Sequence, residues 1–409
     1  MIDGPTISYP RVTRVKPTTI PLASSKSISN RALIINALCR EKSKLINLAE
    51  ARDTRLMLKL LAEPSEVIDV KDAGTTMRFL TGYFALTNQK KLLTGTPRMH
   101  ERPIGILVEA LKKLGASIRY LGVAGYPPIK TQGFDKQLTN QIEIPGDISS
   151  QYISSLLMMA PVLPDGLEIT MTGKIMSRPY IEMTLRLMGK FGAVWNWNEN
   201  VITIQHQQYS ATEITVESDW SAASYWYSIV ALAPGTEITL LGLEDQSLQG
   251  DRQIADIMKP LGVETRFHSE GVTLAKSIVD TDILSWDFST CPDLGPTVMA
   301  TCAALGIRCQ AKGLESLRIK ETDRIAALQK ELGKFGARIL EEEGLWTLQP
   351  ADTMHESIHH TFDTYDDHRM AMALAPLALK FPITINDPKV VRKSYPGFWD
   401  DLAKVGFGN

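Results

Sequence analysis

The sequence predicts a mixed α/β (α+β) chain of repeated strand–helix units arranged in two pseudo-symmetric lobes, and three observations predict it. Strand-like and helix-like segments alternate along all 409 residues, with no low-complexity segment between them. An amphipathic helix pattern, a Gly, a small apolar residue and then a strand-like run recur at 106–116, 183–193, 254–263 and 325–337, with weaker copies at 54–61 and 398–407. The glycines of the four clear copies, Gly115, Gly192, Gly262 and Gly336, return at near-regular intervals, as copies of one supersecondary unit would. Gly directly after a helix supplies the left-handed C′ residue, and the next residues begin a strand.

Along the chain, a first strand is expected over about 7–15, ended by Lys16-Pro17 and Pro21. A Ser-rich turn at 23–29 then opens a helix running to about Leu38. A second break falls at Val216-Glu217-Ser218-Asp219, before a helix that begins near Trp220. The layout predicted is discontinuous: an inserted lobe at 21–217, and a second lobe made from 1–20 with 218–409. A chain this long exceeds the roughly 250–300 residues at which one core stops growing. The gap between lobes is where a ligand is expected.

Lys+Arg 44 against Asp+Glu 46 leaves a formal charge of -2, which gives no global field for nucleic acid or an anionic membrane. The longest apolar stretch, 222–234, is shorter than the about 20 residues that span a bilayer. Met1 to Pro5 lacks the basic start and apolar core of a signal peptide. Cys39, Cys291, Cys302 and Cys309 form no CxxC pair, so a reducing cytoplasm is expected.

Cationic side chains stand at the starts of helices in different repeats. Lys26 and Arg31 lie in Ser25-Lys26-Ser27-Ile28-Ser29-Asn30-Arg31, where cations oppose the helix dipole unless an anion joins them. Lys71-Asp72-Ala73-Gly74-Thr75-Thr76-Met77-Arg78-Phe79 places a Gly where a backbone can approach a ligand closely. Arg98 and Arg102 sit between Pro97 and Pro103, and Arg suits bidentate contact with carboxylate or phosphate. Ser149-Ser150-Gln151 and Ser177-Arg178-Pro179-Tyr180 precede helices and offer hydroxyls, although helix capping explains such residues more often. Asp293, before an apolar helix, reads as a cap as readily as a site. Lys320 and Arg324 read as an i,i+4 pair of like charges at the start of a helix, which a shared anion would reconcile. Arg369 enters a helix, 370–379, that is apolar all round, and Arg392-Lys393 precede the last helix. If these starts converge, they form a pocket for a polyanionic substrate, with Asp293 and Glu321 as the acid and base candidates.

His355-Glu356-Ser357-Ile358-His359 matches the HExxH zinc pattern, which requires a helix to bring both imidazoles to one face. The run has few helix formers and leads into strand-like alternation, so no metal site is expected there. No P-loop, dinucleotide fingerprint or nucleophile elbow is present.

Taken in order, Ser25 to Arg31, Ala73 to Arg78, Pro97 to Pro103, Ser149 to Gln151, Lys320 to Arg324 and Asp367-His368-Arg369-Met370-Ala371-Met372 resemble the motifs of the 5-enolpyruvylshikimate-3-phosphate synthase family over essentially the whole chain. The resemblance implies two lobes of three βαβαββ units each. It implies transfer of the carboxyvinyl group of phosphoenolpyruvate to the 5-hydroxyl of shikimate 3-phosphate, with release of phosphate. By the same resemblance Lys26, Arg98, Arg324, Arg369 and Lys393 hold phosphoenolpyruvate, which Gly74 approaches through its backbone. Ser27, Arg31, Ser149, Ser150, Gln151, Ser177, Tyr180 and Lys320 hold shikimate 3-phosphate. Asp293 is the implied base and Glu321 the implied proton donor, assisted by Lys26. No metal or organic cofactor is implied, and a cytoplasmic monomer acting on small molecules is expected, with no nucleic acid or membrane partner.

Three departures stand out. Phe79 follows Met77-Arg78 where the family usually has Pro. Ser316 stands where an Asn often contacts substrate. The segment 53–72 is short for the family, so the first repeat is expected to lack a strand or to have truncated loops. Two rival readings are a carboxyvinyltransferase acting on UDP-N-acetylglucosamine, whose mobile loop carries a Cys absent from 97–103, and a non-catalytic clamp of repeats. Alanine in place of Lys26, Asp293 or Glu321 is expected to lower turnover by orders of magnitude and to leave thermal unfolding nearly unchanged.

Overall fold

The computed structural model describes residues 5–147, 149–175 and 178–408. The chain divides into two compact units. One comprises Met1–Ser25, Glu50–Arg52 and Glu217–Asn409, and the other Lys26–Ala49 and Asp53–Val216. Thr18–Pro21 pairs in parallel with Glu237–Leu241, both in the first unit.

One module accounts for most of both units: a strand, a helix, a parallel neighbouring strand, a second helix, then two antiparallel strands that complete a four-stranded sheet. In the second unit it is built first from strands Val67–Asp69, Leu92–Thr94, Ala116–Tyr120 and Ile129–Phe134 with helices Gly74–Leu86 and Gly105–Leu114. It recurs there with strands Gln141–Pro145, Leu167–Thr172, Asn196–Asn198 and Val201–Ile204 and helices Ser150–Met159 and Arg178–Lys190. The first unit repeats it with Thr18–Pro21, Glu237–Leu241, Val263–His268 and Gly271–Lys276, and again with Ile283–Asp287, Arg308–Lys312, Arg338–Glu342 and Leu345–Gln349. In every copy the first two strands run parallel and the last two antiparallel, so a helix must cross between the parallel pair.

Each unit also holds a reduced copy. In the first unit His360–Phe362 pairs in parallel with Ile383–Asn386, which pairs antiparallel with Thr6–Tyr9 from the opposite end of the chain. In the second unit the sheet is a two-stranded parallel pair, Lys44–Ile46 with Glu213–Thr215. The short 53–72 segment thus carries helix Arg52–Leu61 and strand Val67–Asp69 without a closing hairpin.

Gly115, Gly192, Gly262 and Gly336 all have positive φ, as the recurring pattern requires. Strand Ile129–Phe134 alternates strictly between buried and half-buried residues, one face to the core. Helices Trp220–Leu232 and Gly295–Leu305 are buried almost all round. They meet through small hydroxyls: Thr301 donates to Ser228 at 2.7 Å, and Ser224 lies 3.3 Å from Thr297. The apolar run 370–379 is buried as expected, but it changes from an α-helix, His368–Leu374, to a 3-10 turn, Ala375–Leu379, where Pro376 enters.

Candidate active site

In the first unit, four segments far apart in sequence gather charges around one pair of carboxylates. Asp293 lies on the turn before helix Gly295–Leu305, but it does not cap that helix: the cap residue is Leu294, with no side-chain bond. Its carboxylate instead accepts from Arg324 Nη1 at 3.0 Å and Arg369 Nη2 at 2.9 Å, with Lys320 Nζ at 3.6 Å. Glu321 accepts from Arg324 Nη2 at 2.8 Å and lies 3.3 Å from Lys393 Nζ. The guanidinium of Arg324 is turned by Asp367, whose Oδ2 accepts from Nε at 2.7 Å. Asp367 also caps helix His368–Leu374 by accepting from Arg369 N at 2.8 Å. One buried acid therefore fixes one arginine by its side chain and another by its backbone.

The electrostatics follow from this packing. Burial pushes the Asp293 carboxyl up, but Arg369, Lys320 and Arg324 together outweigh burial and hold it well below the usual carboxylate range. Burial works against the Arg324 cation, and Asp367, Glu321 and Asp293 more than offset that. Two groups implied as base and acid are thus engaged as counter-ions. Ser316 is half-buried on the 3-10 turn Glu315–Ile319 just upstream.

The i,i+4 reading of Lys320 and Arg324 is corrected by the local fold. Asp323 caps the helix through Ala326 N at 3.0 Å, so the helix is Arg324–Gly333 and Lys320 lies before it in extended backbone. The shared anion that the like charges called for is the Asp293 carboxylate.

The turn that delivers Asp367 and Arg369 carries two successive residues, Tyr365 and Asp366, with φ of 55° each. Neither is Gly, so each carries a steric cost of roughly 1–2 kcal/mol. The Tyr365 hydroxyl is tied to the buried Glu331 carboxylate, which also accepts from Asp363 N at 3.0 Å. Behind Arg369, Ser221 accepts from Nη2 at 3.2 Å and donates to Asp251 Oδ2. The second Asp251 oxygen is buried and has no hydrogen-bond partner among the described residues. Burial is the main cause that pushes this carboxyl up to about 6; Asp293 and Asp219 add to it, against Arg369 and Ser221.

In the second unit, Lys26 Nζ lies 3.6 Å from the buried Asp53. Arg31, buried in helix Lys26–Leu38, donates to Thr184 Oγ1 at 2.7 Å, Ser27 O at 3.0 Å and Ser154 Oγ at 3.1 Å. Thr184 donates to the carbonyl of Tyr180 one turn earlier at 2.8 Å, which joins the helix starting at Arg178 to this cluster. Gln151 Nε2 donates to Thr75 Oγ1 at 3.1 Å, linking the Ser149–Gln151 segment to the helix that opens at Gly74. Ser149 caps helix Ser150–Met159 through Gln151 N at 3.4 Å, and Ser150 is buried at its first turn. Over Gly74 lies Arg102: a Cβ there would sit 2.5 Å from its Nη2. Arg98 is half-exposed on the short helix Pro97–His100 and pairs with Glu101 at 2.9 Å. Ser177 lies outside the described residues.

The HExxH run is a turn rather than a helix, and Glu356 accepts from Arg11 at 2.7 Å. Among the described residues no group of three His, Cys, Asp or Glu side chains could hold a metal ion, and no helix is long and apolar enough to cross a membrane.

Sequence reasoning missed Asp367 as the acid that orients Arg324, although it stands two residues from Arg369. It also missed Asp53, Ser154, Asp251 and Ser221. Thr184 was recoverable from its spacing of four from Tyr180 on one helix; the others are partners across long sequence separations and carry no local signal.

The model of the family EPSP synthase (3-phosphoshikimate 1-carboxyvinyltransferase) matches residues 13–64 and 60–402. The chain is 48% identical over 393 residues to a 3-phosphoshikimate 1-carboxyvinyltransferase of Bacteroides fragilis, covering 95% of each. It is 36% identical over 417 residues to the protein of that name from Aliivibrio salmonicida, covering 94% of this chain and 96% of the other. In fold it is similar to EPSP synthase from Acinetobacter baumannii, with a TM-score of 0.77 at 20% identity over 98% of both chains. It is also similar to the enolpyruvyl transferase NikO from Streptomyces tendae, with a TM-score of 0.74 at 12% identity over 98% of this chain and 97% of that one. With a repeated βαβαββ fold, a carboxylate pair ringed by cations and a family match along nearly its whole length, the chain belongs to the EPSP synthase (3-phosphoshikimate 1-carboxyvinyltransferase) family.

Proposed function

We propose that the protein transfers the carboxyvinyl group of phosphoenolpyruvate to the 5-hydroxyl of shikimate 3-phosphate, using Asp293 as the base and Glu321 as the proton donor. The observation that carries this reading is the engagement of Asp293 and Glu321 by Arg324, Arg369, Lys320 and Lys393. Phosphoenolpyruvate brings a carboxylate and a phosphate, which compete for Arg324, Arg369 and Lys393, and shikimate 3-phosphate competes for Lys320. As Arg369 and Lys320 turn to the substrate, Asp293 loses the charges that depress its proton affinity and becomes a competent base. It takes the proton of the 5-hydroxyl as the oxygen attacks the enol carbon, while Glu321 delivers a proton to the methylene carbon. The tetrahedral adduct collapses by the reverse proton movements: a methyl proton leaves, the carbon–oxygen bond to phosphate breaks, and phosphate departs with its charge held by Arg and Lys.

In this reading Lys26, Gly74, Arg98, Arg324, Arg369 and Lys393 serve phosphoenolpyruvate. Ser27, Arg31, Ser149, Ser150, Gln151, Ser177, Tyr180, Ser316 and Lys320 serve shikimate 3-phosphate. The protein acts as a cytoplasmic monomer with no cofactor. Phosphate release from phosphoenolpyruvate, measured with shikimate 3-phosphate in one reaction and UDP-N-acetylglucosamine in another, tests the proposal. Release with the first alone supports it; release with the second alone, or with neither, refutes it.

A further inference from the structure

Arg31 and Arg324 are both buried guanidinium groups, and they are stabilised by opposite means. Arg324 spends its nitrogens on three carboxylates. Arg31, 3% exposed, has only neutral acceptors at Thr184, Ser27 and Ser154, and among the described residues no carboxylate pairs with it. A buried cation without a counter-ion is costly, and burial brings this group down to about 10, against a smaller opposite effect of Tyr180. The remaining contact is with Phe79, itself 1% exposed, whose ring centroid lies 5.3 Å from the Arg31 Cζ. A ring attracts a guanidinium through its quadrupole, most strongly where both are desolvated. That attraction acts on the charge of the cation and requires none of its N–H bonds. Three of the five donors are occupied, which leaves two for an oxyanion.

We propose that Phe79 is a positioning residue for shikimate 3-phosphate: its ring stands in for a counter-ion and holds Arg31 in place while leaving two N–H donors open to the substrate. The proposal rests on the functional reading above. A carboxylate in the place of Phe79 would stabilise Arg31 equally well but would compete with the substrate for the same N–H bonds, as Asp293 does at Arg324.

The test is direct binding of shikimate 3-phosphate by calorimetry in the absence of phosphoenolpyruvate, together with steady-state kinetics. Phe79→Leu and Phe79→Met keep apolar bulk and remove the ring; Phe79→Tyr keeps the ring. The expected result is a rise of about five- to thirtyfold in Kd and KM for shikimate 3-phosphate in the first two variants. KM for phosphoenolpyruvate and kcat should stay within about twofold, and Phe79→Tyr should restore affinity. In an Arg31→Gln background, where no cation faces the ring, Phe79→Leu should add less than about twofold. Unchanged affinity in folded Leu and Met variants overturns the proposal. So does a parallel loss in both KM values, kcat and thermal stability, which would mark Phe79 as packing alone. Absence of binding by the unaltered protein removes the functional reading and this proposal with it, whereas binding unaffected by the ring removes only this proposal.

Discussion

Arg324 reaches Asp293 at 3.0 Å and Glu321 at 2.8 Å with adjacent nitrogens of one guanidinium. A single cation is thereby shared between the proposed base and the proposed proton donor, so neither carboxylate can change its charge without the other responding. Asp293→Ala is expected to lower turnover by about a hundredfold or more. Contrary to the sequence-based expectation, it should also destabilise the protein by about 3 kcal/mol, because Arg369 and Lys320 lose their shared anion in a buried place. The Asp293 carboxyl is depressed on folding, so its stabilisation is present above the unfolded value of 3.8 and is lost only as pH falls further. Thermal unfolding at pH 7 and pH 3 should therefore show a gap between parent and variant that narrows at the lower pH.

Glu321→Gln keeps an oxygen for Arg324 and cannot deliver a proton to carbon. Turnover should fall by about a hundred- to ten-thousandfold, while phosphoenolpyruvate still binds. Exchange of solvent deuterium into the methylene group, followed by NMR, should stop in this variant; continued exchange would give the proton to another group.

Asp251 provides a pH signature of opposite sign. Its folded value of about 6 lies above the ordinary 3.8, so the folded state keeps a proton that the unfolded chain has lost. Stability from this group is complete below about pH 4 and declines as pH rises through 6, by an upper bound of about 3 kcal/mol. Asp251→Asn should raise the melting temperature at pH 8 and leave it unchanged at pH 4. An equal effect at both values would assign the group an ordinary, unshifted carboxyl.

Gly74→Ala places a methyl 2.5 Å from the Arg102 Nη2, which must move. The obstructing atoms are the far end of a flexible side chain, so folding should cost less than about 1 kcal/mol. KM for phosphoenolpyruvate should rise about tenfold, and restored affinity in Gly74→Ala with Arg102→Lys would identify Arg102 as the clashing group.

The repeat was legible because a helix that ends in a left-handed residue selects Gly, and Gly115, Gly192, Gly262 and Gly336 meet that requirement locally. The cationic helix starts were legible because unopposed positive charge at an N-terminus is locally unfavourable. Lys320 reads as helical on its spacing from Arg324, but Asp323 is the better N-cap residue, and its bond to Ala326 N starts the helix after Lys320. Asp367 and Asp251 act through residues 43 and 30 positions away, and nothing near them in sequence encodes those partners. The left-handed turn at Tyr365 and Asp366 escaped notice because it contains no Gly; Glu331 holds it from another helix.

The pairing of Thr6–Tyr9 with Ile383–Asn386 has a consequence for synthesis on the ribosome. The second unit has all its strands once Glu213–Thr215 has emerged to meet Lys44–Ile46, and it can fold while translation continues. Thr6–Tyr9, made before any of it, must wait with both edges open until the last described strand, Ile383–Asn386, appears, some tens of seconds later at about 5–20 residues per second. The earliest of the described strands is thus among the last to find its partner. During that interval the growing polypeptide carries a finished body flanked by an unpaired strand, the form in which a nascent chain most needs protection from pairing with its neighbours.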